Sequence, residues 1–599
     1  MSAPTLLGYV GAVSGSTVSV RRFEGISSGI AIIGGRSYRV GQVGSFVRIP
    51  QGYHDLYGII ADVGATAAPQ TRADPDPRSE WWMTIQLVGE IIEVTFERGI
   101  GEYPAIKDEV HLVTEDDLAK IYGTADAGQV TIGRHAAAES IPVRIDLNRL
   151  VTRHSAVLGS TGSGKSTTVA SLLRSISAGQ FGERTFPSAR ILLLDVHGEY
   201  GDALKGVAKT FRVSPSDGSE RLVIPYWAMD IGDVIQFVMG KVEEKSLTAI
   251  YDRILIEKQK AVSKFEFAGA SQTALTANSP IPFSLKKFWY DLIDPELKTT
   301  VDKDGQNSAR ITAGDAETLT PPTYPPPGPG GASPFLNKVG VLSIARQLGH
   351  LRSRLLDHQY DFMLHPDDWE PKLDSSVKRD LGALLEGWIG HDKPITILDL
   401  SGIPSVVMSR LIGGILSIIY EGLFWGRELP EGGRKRPQLI VMEEAHRYLG
   451  KDDDGPTREM VQRIVKEGRK FGVGAMIVSQ RPSEIDDTIL SQCGTFFALR
   501  LTNANDRAKV QSALPDNLSS VVDSLPVLRT GEAIIIGEAA RLLIRCRVTL
   551  PGEGNRPQSS DPLVASAWSA PAAPGDYSTL AAVWRSQNPR WKPEAKKED

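Results

Sequence analysis

The sequence predicts a multidomain α/β chain: a parallel-sheet core built round a phosphate-binding loop, an antiparallel β-barrel ahead of it and a helical insertion within it. Three observations carry that prediction. Gly159-Ser160-Thr161-Gly162-Ser163-Gly164-Lys165-Ser166 fits GxxxxGK(S/T) without a mismatch, between an apolar run and a helical pattern. Short continuous apolar runs ending in charged turns, the mark of strands buried on both faces, recur on either side of a more helical middle region. Residues 1–145 instead show period-two alternation broken by glycines, as antiparallel sheet does.

The 599 residues exceed one ordinary hydrophobic core, so several domains are expected. With 41% hydrophobic and 23% charged residues, the composition is that of a soluble globular protein. A formal net charge of -5 excludes a globally basic nucleic-acid binder, and any DNA partner would need a local positive surface such as a channel lining. The two cysteines, Cys493 and Cys546, stand in apolar strand-like runs and read as buried free thiols of a reducing compartment. Met1 to Gly11 has neither a basic n-region nor a sustained apolar core, so no signal peptide is expected. The most membrane-like piece, Leu411 to Tyr420, lies between Arg410 and Glu421 and is far short of the ~20 residues that span a bilayer. It reads as a buried helix of a cytoplasmic protein with no membrane partner.

In chain order, Thr17-Val18-Ser19-Val20, Ser45-Phe46-Val47-Arg48-Ile49 and Thr84-Ile85-Gln86-Leu87-Val88 alternate between glycine-bearing turns, most simply as a small barrel. Trp81-Trp82 fits a core or interface pair better than a platform for stacking bases. Ser155-Ala156-Val157-Leu158 then reads as a buried strand, and Thr167 to Leu173 as the start of a helix. In that setting the glycines let the backbone wrap, so that N–H groups from Gly159 to Thr167 face the phosphates of a nucleotide, aided by the positive end of the helix. Lys165 would neutralise phosphate charge and the Ser166 hydroxyl would ligate Mg²⁺, which makes ATP and Mg²⁺ the expected cofactors. Ile191 to Asp195 reads as the next buried strand. It places Asp195, His197 and Glu199 near the nucleotide, although His197 could equally be a turn cap.

Residues 231–390 carry helical spacing at Val234 to Val238, Leu247 to Leu255, Val341 to Leu356 and Ser375 to Trp388. Between them lies Pro321-Pro322-Thr323-Tyr324-Pro325-Pro326-Pro327-Gly328-Pro329, read as a flexible solvated spacer rather than a ligand for a Pro-binding domain. Pro394 to Leu400 returns to strand, and a long apolar helix follows from Val406 to Trp425. Leu439-Ile440-Val441-Met442 then runs into Glu443-Glu444-Ala445-His446, a Walker B pattern. There Glu443 would hold Mg²⁺ through water and Glu444 would polarise the attacking water. Glu443 stands where Asp is commoner. Gln480, ending the strand Ala475 to Ser479, fits a γ-phosphate sensor. Arg469 fits either an arginine finger or an ordinary surface helix charge, because guanidinium grips phosphoryl oxygens bidentately. Arg434-Lys435-Arg436, the densest basic cluster, reads as a solvated loop. Thr495 to Leu501 and Glu532 to Gly537 close the core. The domains are then 1–145 barrel, 146–230 and 391–550 core, 231–390 insertion, and 551–599 a Pro-rich tail whose Trp584 and Trp591 suggest docking.

Taken together, Gly159 to Ser166, Asp195-Val196-His197-Gly198-Glu199-Tyr200, Glu443-Glu444-Ala445-His446, Glu467-Gly468-Arg469-Lys470-Phe471-Gly472 and Gly531-Glu532-Ala533 resemble the HerA family, hexameric DNA-translocating ATPases related to FtsK. The resemblance runs from the N-terminal barrel to Leu550. It implies a RecA-like core, an N-terminal "HAS" barrel, a homohexameric ring with duplex DNA in its central channel, and an arginine supplied in trans, which favours Arg469 as the finger. It also implies a site role for Arg153, just ahead of the phosphate-loop strand. Family members work with a partner: NurA nuclease in archaeal DNA-end processing, or an effector such as a nuclease or sirtuin-like NAD hydrolase in bacterial anti-phage defence. No nuclease or NAD-hydrolase motif is visible in this chain, so such an activity would come from a separate effector chain. Three functions compete: a ring motor on duplex DNA, an assembly platform that switches on an effector with ATP turnover regulatory, and a membrane-associated secretion-type ATPase.

Overall fold

The computed structural model describes residues 5–22, 30–33, 35–64, 82–93, 95–122, 127–179, 184–215, 218–451, 455–512, 522–558, 564–569 and 577–586. Near the N-terminus, six strands close on themselves. Going round, the order is Thr17–Arg22, Leu6–Ser14, Glu109–Leu112, Phe46–Pro50, His54–Gly64 and Trp82–Ile92, and the last pairs back with the first. Alternate residues fill the interior, among them Val18, Val20, Val47, Ile49, Leu56, Ile60, Ile85 and Val110. Closure of these six strands is how a small antiparallel sheet of alternating sequence buries one face, and Thr95–Arg98 pairs with the outer end of Trp82–Ile92 as a seventh strand. Trp82 lies against Gly64 across the sheet, where a Cβ would meet the indole ring at 2.6 Å. Its neighbour Trp81 lies outside the described residues.

The expected boundary at 145 is too late for the barrel. The hairpin Gln129–His135 and Ala138–Asp146 is not part of it but the outer end of a second, twelve-stranded sheet. Its sequence alternates like barrel sequence because it is also antiparallel, so periodicity alone does not say which sheet it joins.

That second sheet runs in the order Ala138–Asp146, Gln129–His135, Ile544–Val548, Glu532–Gly537, Thr495–Ala498, Ser155–Leu158, Val473–Ser479, Gln438–Met442, Arg190–Asp195, Ile395–Asp399, Ala208–Arg212, Glu220–Arg221. From Thr495–Ala498 onward every pairing is parallel. Successive side chains serve opposite faces: Ala156, Leu158, Leu192 and Leu194 enter one core, and Val157, Ile191 and Leu193 the other. Two buried faces are why these strands read as unbroken apolar runs.

The insertion is helical, with Ile231–Met239, Glu244–Lys264, Leu285–Leu297 and Ala345–Leu355 packed in the core on one side of the sheet. Two expectations fail there. Helix begins only at Leu381, running to Leu385 and on as a π turn over Glu386–Gly390, so Ser375 to Asp380 is not helical. The Pro-rich stretch is not a loose spacer either. Thr312 bridges Thr323, Tyr324 Oη donates to Asp294 Oδ1 at 2.6 Å, and Thr299 Oγ1 donates to Pro325 O at 3.0 Å. Proline carbonyls and neighbouring side chains supply partners that composition cannot reveal.

The apolar helix Ser405–Trp425 is long and apolar enough to cross a membrane, yet two-thirds of its most apolar window is buried within the chain, with Leu411, Ile412, Ile415, Leu416 and Ile419 in the core. Cys493 and Cys546 are buried free thiols, the latter in a strand and the former just after the short helix Asp487–Ser491. Beyond the last strand, the tail returns to the core: Ser171 Oγ donates to Thr549 O, and Gln558 N donates to Glu199 O at 3.0 Å. Trp568 and Trp584 further on are exposed, and Trp591 lies outside the described residues.

Candidate functional site

The phosphate loop leaves the carboxyl end of Ser155–Leu158, the strand held between Thr495–Ala498 and Val473–Ser479. It is braced from three directions: Gly159 N donates to Ser479 O, Ser160 N to Arg500 O, and Gly531 N to Ser163 O. Gly164 has φ 98 and passes so close to Gly531 that a Cβ would sit 3.1 Å from its nitrogen, so both conformation and space demand glycine there. Helix Lys165–Ala178 starts at once, turning its unpaired N–H groups and positive end toward the loop. Gly159, Ser163 and Lys165 are buried, Ser160, Gly164, Ser166 and Thr167 are half-buried, and Thr161 and Gly162 are exposed at the rim. Lys165 Nζ reaches Ser160 O at 3.4 Å. Burial lowers its pKa, partly opposed by Glu444, Glu443 and Glu199, so three carboxylates converge on the one ammonium.

Glu443 and Glu444 follow the strand Gln438–Met442, two places along the sheet from the loop strand. Glu443 is fully enclosed. Burial, then Glu444 and Asp195, push its carboxyl up to about 8, opposed by a hydrogen bond from Tyr200 Oη at 3.1 Å and by Lys165. The Ser166 side chain also acts on that hydroxyl, so one buried phenol stands between the two residues expected to hold Mg²⁺. The oxygen donors therefore fit that ion: a serine hydroxyl and a carboxylate meet in the site, as Mg²⁺ with nucleotide phosphates requires. Among the described residues no cluster of three or more His, Cys, Asp or Glu is poised to hold a metal without such help.

Glu444 sits at φ 48, in the left-handed region that a non-glycine residue enters at a cost, and its side chain is buried. Its Oε2 makes no hydrogen bond within the chain, the signature of a carboxylate kept for a substrate or water. Gln480 is brought to the loop itself, accepting from Thr161 Oγ1 at 2.6 Å through Oε1.

Three expected neighbours of the nucleotide are placed differently from one another. Asp195 is wholly buried and spent on the chain's own turn, accepting from Gly198 N at 2.8 Å, Glu199 N at 3.2 Å and Tyr200 N at 3.0 Å. Burial pushes its carboxyl up to about 6 even so. Its work is to aim Tyr200. His197 is exposed, while Glu199 is half-buried and acts on Lys165 through its charge.

Arg469 and Arg153 are not at this site. Arg469 lies in the 3-10 turn Gly468–Phe471 ahead of Val473–Ser479, the amino end of the strand whose carboxyl end touches the loop. A seven-residue strand separates them by about 20 Å. Its guanidinium is exposed and unpaired among the described residues. Arg153 sits on the same amino edge, its Nε 3.5 Å from Glu538 Oε2. Sequence reading missed Tyr200, Arg500, Thr530, His446 and Ser479 as site residues. Arg500 Nη2 and Thr530 Oγ1 both donate to Gly162 O at 3.3 Å, and nothing in their own stretches marks them. Tyr200 carried the one available signal, an aromatic residue closing a charged turn after a buried strand.

A nucleotide loop, a buried glutamate pair two strands along the same sheet and a polar strand-end glutamine define an ATP-binding P-loop ATPase of the helicase type. Family models agree: "Helicase HerA, central domain" matches residues 130–419 and "Helicase HerA-like C-terminal" matches residues 395–540. The chain belongs to the HerA family. The DNA double-strand break repair helicase HerA of Sulfolobus acidocaldarius is 27% identical over 443 residues, covering 73% of this chain and 72% of that protein. The Pyrococcus furiosus protein of the same description is 24% identical over 483 residues, covering 75% and 73%. Among solved structures, VirB4 of Thermoanaerobacter pseudethanolicus aligns with a TM-score of 0.46 at 12% identity, over 72% of this chain and 99% of that one. The plasmid coupling protein TrwB with the ATP analogue ADPNP aligns at 0.40 and 13%, over 74% and 94%.

Proposed function

We propose that this chain is the subunit of a cytoplasmic homohexameric motor that hydrolyses Mg²⁺-ATP to move duplex DNA through its central channel. One observation carries the reading: the loop, Glu443, Glu444 and Gln480 share one edge of the sheet, while the unpaired Arg469 stands on the other. A ring brings one subunit's amino edge to the next subunit's carboxyl edge, so Arg469 serves the neighbour's γ-phosphate. Ser166 and Glu443 hold Mg²⁺, Lys165 and the loop N–H groups hold the phosphates, and Glu444 takes the proton of the attacking water. Relatives described as DNA double-strand break repair helicases support DNA as the substrate. The test is ATP turnover with and without duplex DNA. Stimulation that vanishes in Lys165→Ala and Glu444→Ala protein is expected; absence of stimulation by any DNA overturns the motor.

A second reading is favoured by the barrel, which brings no reactive group to the site, and by the exposed Trp568 and Trp584 of the tail. There the ring holds a separate effector chain, a nuclease or a sirtuin-like NAD hydrolase, in anti-phage defence or DNA-end processing. Glu444→Ala protein should then lose hydrolysis but keep the effector through co-purification from its native host. A ring that purifies from that host without a companion argues against it. Recovery in the membrane fraction would argue for a secretion ATPase instead.

A further inference from the structure

His446 stands two residues past Glu444, in the one-turn helix Ala445–Arg447, with its side chain only about a tenth exposed. Its Nδ1 lies 3.2 Å from Glu444 Oε2 and 3.3 Å from Ser479 Oγ. Ser479 ends the strand that touches the phosphate loop, and its hydroxyl accepts the Arg481 N–H at 3.0 Å. Between Ser479 and Arg481 sits Gln480, bonded to Thr161 of the loop. A continuous path thus joins the rim of the phosphate loop to the general base: Thr161, Gln480, Ser479, His446, Glu444.

One nitrogen cannot serve both neighbours at once. Without a proton, the single Nδ1 lone pair accepts from the Ser479 hydroxyl and offers Glu444 no hydrogen bond; with the proton, it donates to Glu444. The lack of any hydrogen bond at Glu444 Oε2 matches the first arrangement. The other charges acting on the ring are Glu484, Arg481 and Arg447, and burial holds its pKa below the usual value. Burial therefore disfavours the charged imidazolium, and exchange between the two neutral tautomers needs no change of net charge.

We propose that His446 is a positioning residue that couples occupancy of the phosphate loop to the orientation of Glu444. A γ-phosphate that engages Gln480 draws the strand end Ser479–Arg481 with it. Ser479 leaves Nδ1, which takes up the other tautomer through solvent and donates to Glu444 Oε2, fixing the carboxylate for in-line water. This rests on Glu444 being the general base.

The test is steady-state ATP hydrolysis by the full-length protein, with and without duplex DNA, with nucleotide binding measured separately. His446→Ala is expected to lower stimulated kcat roughly tenfold while leaving KM for ATP and nucleotide binding within about twofold, since the imidazole touches no nucleotide group. His446→Asn places an amide near the Nδ1 position and should recover most of that loss. Ser479→Ala should reduce the response to DNA while sparing binding. Unchanged kcat and stimulation in His446→Ala overturns the proposal and leaves the role of Glu444 intact. If His446→Ala fails to bind nucleotide, the Asn and Ser479 variants decide: parental stimulation in Ser479→Ala, or no recovery in His446→Asn, overturns it. Hydrolysis that survives in Glu444→Gln instead removes the base, and this coupling with it.

Discussion

Along the carboxyl edge of the parallel sheet, Lys165, Glu443 and Glu444 are each less than a tenth exposed; Lys165 and Glu443 are hydrogen-bonded within the chain, and His446 Nδ1 lies 3.2 Å from Glu444 Oε2. Along the amino edge, Arg469 is exposed and, among the described residues, unpaired, and Arg153 meets a half-exposed glutamate. The first edge has its chemistry set by its own fold: burial raises Glu443 and depresses Lys165, and Tyr200 Oη donates a hydrogen bond to Glu443. That division is what the proposed ring requires, with the binding half supplied by one copy and the arginine half by the next.

The largest expected effect tests the buried edge. Lys165→Ala and Glu444→Gln should each bring ATP hydrolysis to background, a loss of ~10³-fold or more in kcat, read by phosphate release. Next comes the exposed edge: Arg469→Ala should lose ~10³-fold in kcat, the worth of an arginine finger, with ATP binding retained. Mixing Arg469→Ala with Lys165→Ala subunits should restore part of the turnover, because an intact arginine can then face an intact loop. An Arg469→Ala protein as fast as its parent breaks the division outright.

A smaller effect separates the edges by pH. Glu443 keeps its proton in the fold up to about 8, whereas the unfolded chain releases it in the ordinary carboxylate range. The native state therefore binds the extra proton between those values, so this group's stability is fully present below the ordinary range and lost as pH rises through about 8. Chelated, nucleotide-free protein should accordingly melt lower at pH ~8 than at pH ~5. Glu443→Gln should flatten that slope, and Asp195, pushed up to about 6, adds the same sign over a narrower window. The smallest effect belongs to Arg153→Ala. Its ion pair is screened by solvent, so the substitution should cost less than about 1 kcal/mol in denaturant melts. A loss of turnover out of proportion to that would place Arg153 at the neighbour's site.

The phosphate loop and the glutamate pair were legible because each is a short contiguous run whose chemistry depends on local spacing. Gln480 was legible for a related reason, since the carboxyl ends of adjacent parallel strands lie side by side. Tyr200 was not, because its partner Glu443 is 243 residues away and a tyrosine in a turn has no distinguishing pattern. The hairpin Gln129–Asp146 misled in the opposite way: its alternation is real, but alternation does not name the sheet. The ordered Pro-rich stretch misled because composition reports the absence of backbone donors, not the carbonyls and hydroxyls that can still be paired.

By itself the sequence determined the α/β class, the barrel and insertion in outline, the nucleotide loop and the acidic pair. All of these follow from periodicity or from motifs shorter than one element, where a residue's neighbours in the chain are also its neighbours in space. Only the tertiary structure decided that Asp195 aims Tyr200, that His446 stands between Glu444 and the strand end Ser479, and that the two arginines lie an entire strand length from the phosphate loop. Those are relations across the sheet, fixed by strand order and burial, and strand order is not written in any one stretch of the chain.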